Sequence, residues 1–147
     1  MSKVSPVTSE MGHKVTVSSP WALMLPRKKV KDKRYAMSLN AYRNYHHRVN
    51  NDAKRHYEGL LGPEVRRLPE FHKIKLTATM YPPSKRRVDI ENGTVIHIKY
   101  FQDTLVKAKK IPDDDYKHIV SVDLRFGHVD PKNPRVDITI EELKENG

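Results

Sequence analysis

A single small domain of mixed α/β class, with one mixed sheet and helices packed on it, is predicted by three features of the sequence. Segments around 74–80, 120–126 and 136–140 alternate apolar and polar residues, the pattern of half-buried strands. Segments around 39–60 and 95–108 place apolar residues at steps of three and four, the pattern of helices with one buried face. The chain has 147 residues, the length of one domain with a core that needs no covalent staples.

The elements follow in order. Met1 to His13 is polar and aperiodic and reads as a flexible terminus, leaving 14–147 as the domain. Val15 and Val17 alternate with polar residues and suggest a short strand. Pro20 and Pro26 bracket an apolar turn. Leu39, Tyr42, Tyr45, Val49, Ala53, Tyr57 and Leu60 line one face of a helix that Ser38 caps and that Gly59, Gly62 and Pro63 end. Its tyrosines read as core-facing. Ile74, Leu76, Ala78 and Met80 form a strand with a basic outer face, stopped by Pro82 and Pro83. Asp89 to Gly93 reads as a turn, and Thr94 to Lys110 as a second helix with Val95, Ile98, Phe101, Leu105 and Ala108 inward. Its β-branched start is equally compatible with a strand. Ile111 to Asp115 is a loop. Val120, Val122, Leu124 and Phe126 give the next strand, Gly127 to Pro134 a turn or longer hairpin loop, and Val136, Ile138 and Ile140 the last strand.

Composition narrows the function. The chain has no cysteine, which excludes a disulfide framework, a thiolate zinc site and a cysteine nucleophile. No apolar run approaches the roughly 20 residues that span a bilayer, so a soluble protein of the cytoplasm, with no membrane partner, is expected. Lys and Arg total 28 against 18 Asp and Glu, a net charge of +10. The excess is confined to the first part: 19 basic and 6 acidic residues precede Asp89, and 9 basic and 12 acidic residues follow from it onward. Arg27 to Arg34 carries six basic residues in eight, and Lys85, Arg86 and Arg87 form a second basic knot. Clustered basic charge is the electrostatic footprint of a nucleic-acid binder. Arg27, Lys28, Lys29, Lys31, Lys33, Arg34 and the second knot are therefore the candidate phosphate contacts, with a solvated loop as the plain alternative for the first run.

The acidic second part needs its own explanation, because carboxylates repel DNA phosphates unless a cation sits between them. Asp89 and Glu91 are two apart and point the same way in an extended segment. Asp113, Asp114 and Asp115 follow on the far side of the second helix. The two groups meet only if a sheet or a partner subunit brings them together. Carboxylates beside a basic surface suit a hard cation such as Mg²⁺ in a phosphodiesterase, although such acids are also common on solvated surfaces. The histidines show no zinc-binding spacing. No phosphate-cradling glycine loop or nucleophile elbow is present, so no nucleotide cofactor is expected.

The segment Arg86 to Val120 resembles the RusA-like Holliday-junction resolvases, small phage and prophage endonucleases. Arg86 and Arg87 match a basic stretch, and Asp89, Glu91 and Asn92 match its Asp-x-Asp-Asn. Lys99 falls at a helix lysine, Asp103 and Leu105 match an Asp-x-Leu, and Asp113 and Asp114 match an Asp-Asp. Arg135 to Glu142 and Leu25-Pro26 also fit. The specific part covers about 35 residues. Two departures stand out: Glu91 replaces an aspartate, and about four extra residues lie between Asn92 and Lys99. The resemblance implies a RusA-like fold and a homodimer that cuts branched DNA. It places Asp89, Glu91, Asp113 and Asp114 around Mg²⁺, or Mn²⁺ in its stead. Asp89, Glu91, Asp114 and Lys99 would then be catalytic, with Lys99 stabilising phosphate charge or orienting the water. The alternative is a non-catalytic DNA-binding relative with a degenerate carboxylate site, which the two departures favour.

Overall fold

The computed structural model describes residues 14–143; the segment read as a flexible terminus lies outside them. Nine elements follow one another: β1 (Lys14–Pro20), β2 (Ala22–Leu25), β3 (Lys33–Ala36), α1 (Leu39–Asn44), α2 (His47–Arg66), β4 (Ile74–Tyr81), α3 (Ile90–Lys107), β5 (Ile119–Phe126) and β6 (Arg135–Glu142). A four-stranded sheet in the order β1-β6-β4-β5 is accompanied by the small β2–β3 hairpin. β4 pairs with β5 in parallel and with β6 antiparallel, and β1 pairs with β6 antiparallel. The sheet is mixed, with helices on one face, as the alternation predicts.

That alternation decides which face is covered. Leu76, Ala78 and Met80 of β4, Val136, Ile138 and Ile140 of β6 and Val17 of β1 are all buried. They meet Tyr57, Leu61 and Val65 of α2 and Ile96, Phe101 and Leu105 of α3 in one core. The opposite face is polar and knitted by side chains. Thr16 and Thr139 share a 2.8 Å hydroxyl contact, Ser18 donates to Asp137 at 2.7 Å, and Lys75 lies 3.3 Å from Asp123.

Five details depart from the sequence reading. The stretch between Pro20 and Pro26 is strand β2 rather than a turn, and Lys33 and Arg34 belong to its partner β3. The segment 39–60 is two helices, because Tyr45 and His46 adopt extended backbone. The break lets the Tyr45 ring stack on Tyr35 at 4.6 Å while its hydroxyl accepts from Ala36 N–H. His46 Nδ1 then caps α2 by accepting from Arg48 N–H. α2 also runs through Gly59, Gly62 and Pro63 to Arg66, with Leu61 and Val65 buried and Leu60 exposed. Pro63 removes one helical N–H, but burial of the residues around it keeps the helix continuous. The fourth departure is α3, which begins at Ile90, so Asp89 to Gly93 is its first turn rather than a separate one. Lastly, Gly127 to Pro134 is no hairpin loop, because it carries the chain past β4 to the far side.

Gly93 is where α3 presses against β4. A Cβ at this position would lie 2.4 Å from Met80 Sδ and 3.1 Å from Val88 Cγ1. Helix propensity alone would reward alanine by roughly 1 kcal/mol. The overlap in a buried setting outweighs it, and Gly93→Ala is expected to lower stability by about 1–3 kcal/mol. A urea midpoint equal to or above that of the parent would show that Met80 yields freely.

One polar chain crosses the core. Tyr57 Oη donates to Ser19 Oγ at 2.9 Å, and Ser19 Oγ lies 2.6 Å from His97 Nδ1. Burial raises the Tyr57 hydroxyl well above its ordinary pKa, so it stays a donor. A hydrogen bond thus joins Ser19 to the His97 ring, and His97 Nε2 has no hydrogen-bond partner among the described residues. His97 is fully buried, and that burial pulls its pKa down to about 3.

Candidate functional site

Two acidic groups and two basic runs are the residues to place. Asp89 occupies the N-cap of α3, yet its side chain makes no capping hydrogen bond, and Glu91 stands exposed in the first turn. Both carboxylates lie at the positive end of the helix macrodipole, where a negative charge stabilises the helix. Asn92 is tied down: its Oδ1 accepts from the Asn40 backbone N–H at 2.9 Å, joining the start of α3 to α1.

Beside this helix start lies a cleft of about 530 Å³ whose lining includes Trp21, Arg34, Asn40, Arg86, Arg87 and Asn92. Here residues of the two basic runs, 52 positions apart at Arg34 and Arg86, come together. Arg34 arrives on β3, while Arg86 and Arg87 come from the connection between β4 and α3. Lys85 lies in an adjoining cleft with Phe126. Arg27, Lys28, Lys29 and Lys31 are exposed in the β2–β3 connection, where Arg27 Nε donates to the Lys31 carbonyl at 2.8 Å. Lys33 lies 5.4 Å from the centre of the Tyr45 ring. Sequence reasoning missed Trp21 and Asn40 as cleft residues. The lone tryptophan sits in a segment too short to show a strand pattern.

Asp113 and Asp114 are at the other end of α3. They are exposed, and Asp113 Oδ1 accepts from Asp114 N–H at 2.8 Å. With Lys54, Arg55, Glu58 and Asp103 they line a groove of about 510 Å³ between α2 and α3. Lys54 bridges to Asp103 at 3.4 Å, and Lys107 to Glu58 at 3.1 Å. Asp115 is occupied locally, its Oδ1 accepting from Lys117 N–H and its carbonyl from the His118 and Ile119 N–H groups.

The sheet therefore does not bring the two acidic groups together within one chain. α3 is 18 residues long, which at 1.5 Å per residue puts about 27 Å between its ends. Lys99 is exposed on α3, about 12 Å along the axis from Glu91 by the same rise. Among the described residues no group of three or more His, Asp or Glu side chains is placed to hold a metal ion. The extended geometry expected for Asp89 and Glu91 is not what is found: Asp89 is the N-cap of α3 and Glu91 lies in its first turn, where residues two apart do not face each other, so each offers a separate carboxylate to a hard cation. Mg²⁺ is commonly held by one or two carboxylates together with water and substrate phosphate. Among the described residues no helix is long and apolar enough to cross a membrane.

No protein-family model matches the chain, and no curated protein matches it either.

Proposed function

We propose that the protein is a metal-dependent, structure-selective endonuclease acting on Holliday junctions or other branched DNA. The observation that carries this reading is the arginine-lined cleft beside Asp89 and Glu91. Arg34, Arg86 and Arg87 offer forked donors to phosphate oxygens, and they do so next to two carboxylates that form no ion pair among the described residues. Asn92, held by Asn40, keeps the first turn of α3 fixed against α1. Asp89 and Glu91 would hold Mg²⁺, which when bound neutralises phosphate charge and supplies a nucleophilic water at neutral pH. Asp113 and Asp114, at the far end of α3, would join them only from a partner subunit, and Lys99 would be a phosphate contact from the middle of α3.

The test is a labelled four-way junction incubated with purified protein, with Mg²⁺ and with EDTA. Nicking that requires the metal supports the reading; a band shift without nicking refutes it in favour of a DNA-binding relative. That second reading is favoured by the separation of the two acidic groups along α3.

The basic run has its own expected result. Alanine at Lys28, Lys29 and Lys31 together should weaken binding to all DNA sequences alike. The slope of log affinity against log salt should flatten by up to about 0.9 for each phosphate that the variant no longer neutralises. An unchanged slope, measured by fluorescence anisotropy from 50 to roughly 200 mM salt, would make the run a solvated loop.

A further inference from the structure

The cleft beside the start of α3 is built unlike a surface for paired DNA. Its volume is about 530 Å³, and its lining includes the apolar side chains of Trp21, Met37, Pro82 and Val88. A concave, largely apolar site with a few polar groups that fix orientation suits a small flat molecule. The cationic residues of the cleft, Arg34, Arg86 and Arg87, are exposed and so belong to its rim.

Two side chains in it are held ready. Trp21 is half-buried and packs on the core. The fully buried His97 ring lies 6.3 Å from it, centre to centre, so the core supports one side of the indole while another side lines the cleft. Asn92 supplies a directed donor. Its Oδ1 is taken by the Asn40 backbone N–H, which fixes the amide and leaves the two N–H groups of Nδ2 without a partner among the described residues. A flat ring, a fixed donor for a base edge and guanidinium groups for phosphate are the parts that hold a nucleotide.

We propose that this cleft takes one unpaired nucleobase against the Trp21 indole, so that the preferred DNA is branched DNA with an unpaired nucleotide at the branch rather than a junction paired throughout. The choice among branched substrates rests on the endonuclease reading; the base site itself does not.

The requirement for an unpaired base follows from geometry. Inside a duplex both faces of a base are covered by its stacked neighbours, and only its edges show in the grooves. The indole can take a face only from a base that has left the stack, and leaving costs least where the base is already unpaired. Stacking on an aromatic side chain then returns roughly 5- to 150-fold in affinity for each base, with little regard to sequence. The chemistry lies close by. Val88 and Asn92 line the cleft, and Asp89 and Glu91 lie between them in the chain. A base held against Trp21 therefore brings its own phosphodiester toward these carboxylates.

Trp21 is the only tryptophan of the chain, so protein fluorescence reads this position directly. The probes are a short oligothymidylate and an abasic strand of the same length, which carries the same phosphates without bases. Both are titrated in EDTA at low salt. The oligothymidylate should quench Trp21 and bind at least about fivefold tighter than the abasic strand. Trp21→Ala, followed by anisotropy of the labelled strands, should lower the oligothymidylate affinity to the abasic level and leave the abasic affinity unchanged. Trp21→Phe, which keeps a ring on the core, should retain most of the difference. Equal affinity of the parent for the two strands overturns the base site, and so does a difference in affinity with no change in Trp21 fluorescence. The comparison of strands needs no variant, so it decides the matter even where Trp21→Ala loses core packing.

The substrate choice is read on two junctions that differ in one unpaired thymidine at the branch. The junction that carries it should bind at least about fivefold tighter in EDTA and be cut faster with Mg²⁺. Equal binding and equal cutting overturn the preference. Quenching of Trp21 by oligothymidylate from a protein that cuts neither junction overturns the endonuclease reading and leaves the base site standing.

Discussion

Asp89→Asn and Asp114→Asn proteins are expected to lose Mg²⁺-dependent cleavage of a four-way junction by a factor on the order of 10³, about 4 kcal/mol of transition-state stabilisation. Binding to the same junction in EDTA should be equal or tighter, since each substitution removes a negative charge that would face phosphate in the proposed complex. Neither carboxylate has a role in the fold that would confuse the outcome. Asp89 makes no capping bond, and its charge at the start of α3 stabilises the helix by roughly 1 kcal/mol or less. Asp114 is exposed and uses its backbone N–H, not its carboxylate, to bond Asp113. Correctly folded variants that cut as well as the parent would sink the metal site. Glu91→Asp reads the departure at that position in the same assay: a slower reaction means the site is built around the longer side chain, and a faster one means a decayed aspartate position.

The second large effect is on stability against pH and centres on His97. In the unfolded chain its imidazole takes a proton near its ordinary value of 6.5; in the folded core burial holds it neutral down to about 3. Between those values the unfolded state binds the extra proton, so stability falls as pH drops through this window and is unaffected by this group above it. From pH 7 to pH 4 the loss amounts to about 3 kcal/mol. His97→Gln lacks the titration and should therefore show a loss smaller by about that amount, although it starts from a lower stability because the hydrogen bond between Ser19 and the His97 ring is lost. Urea unfolding of both proteins at pH 7 and pH 4 decides the matter, and equal pH dependence would mean that the core admits the proton.

The strands that carry the sheet were legible because each has one buried face. Val17, the β4 row from Ile74 to Met80 and the β6 row from Val136 to Ile140 are buried alternately, so period two appears in the sequence itself. β2 and β3 were not legible: four-residue strands around a basic run carry too few alternations to register. The break at Tyr45 and His46 escaped because Leu39, Tyr42, Tyr45 and Val49 keep helical spacing across it, and only the stacking of Tyr45 on Tyr35 shows why the backbone extends there. Gly62 and Pro63 resemble a stop but lie between the buried residues Leu61 and Val65, and tertiary burial prevails over local propensity. The alternation of β5 was legible, while its place at the end of the sheet was not, since an edge position is set by topology. The candidate site divides in the same way. The acidic and basic residues were visible as motifs, but which end of α3 each occupies, and the meeting of Arg34 with Arg86, belong to the three-dimensional chain.

The strand made last in this fold sits inside the sheet. β6 lies between β1 and β4, whose own positions in the chain are about 60 residues apart, and it is the strand that joins them. On the ribosome, then, β1 emerges first and waits with an open edge through the synthesis of more than 100 residues. The β4–α3–β5 unit can assemble early, since its contacts are between successive elements, but the sheet closes only after Glu142 has left the exit tunnel. Acquisition of the native sheet is coupled to the synthesis of β6, and a product truncated before Arg135 would present two unsatisfied strand edges to its neighbours.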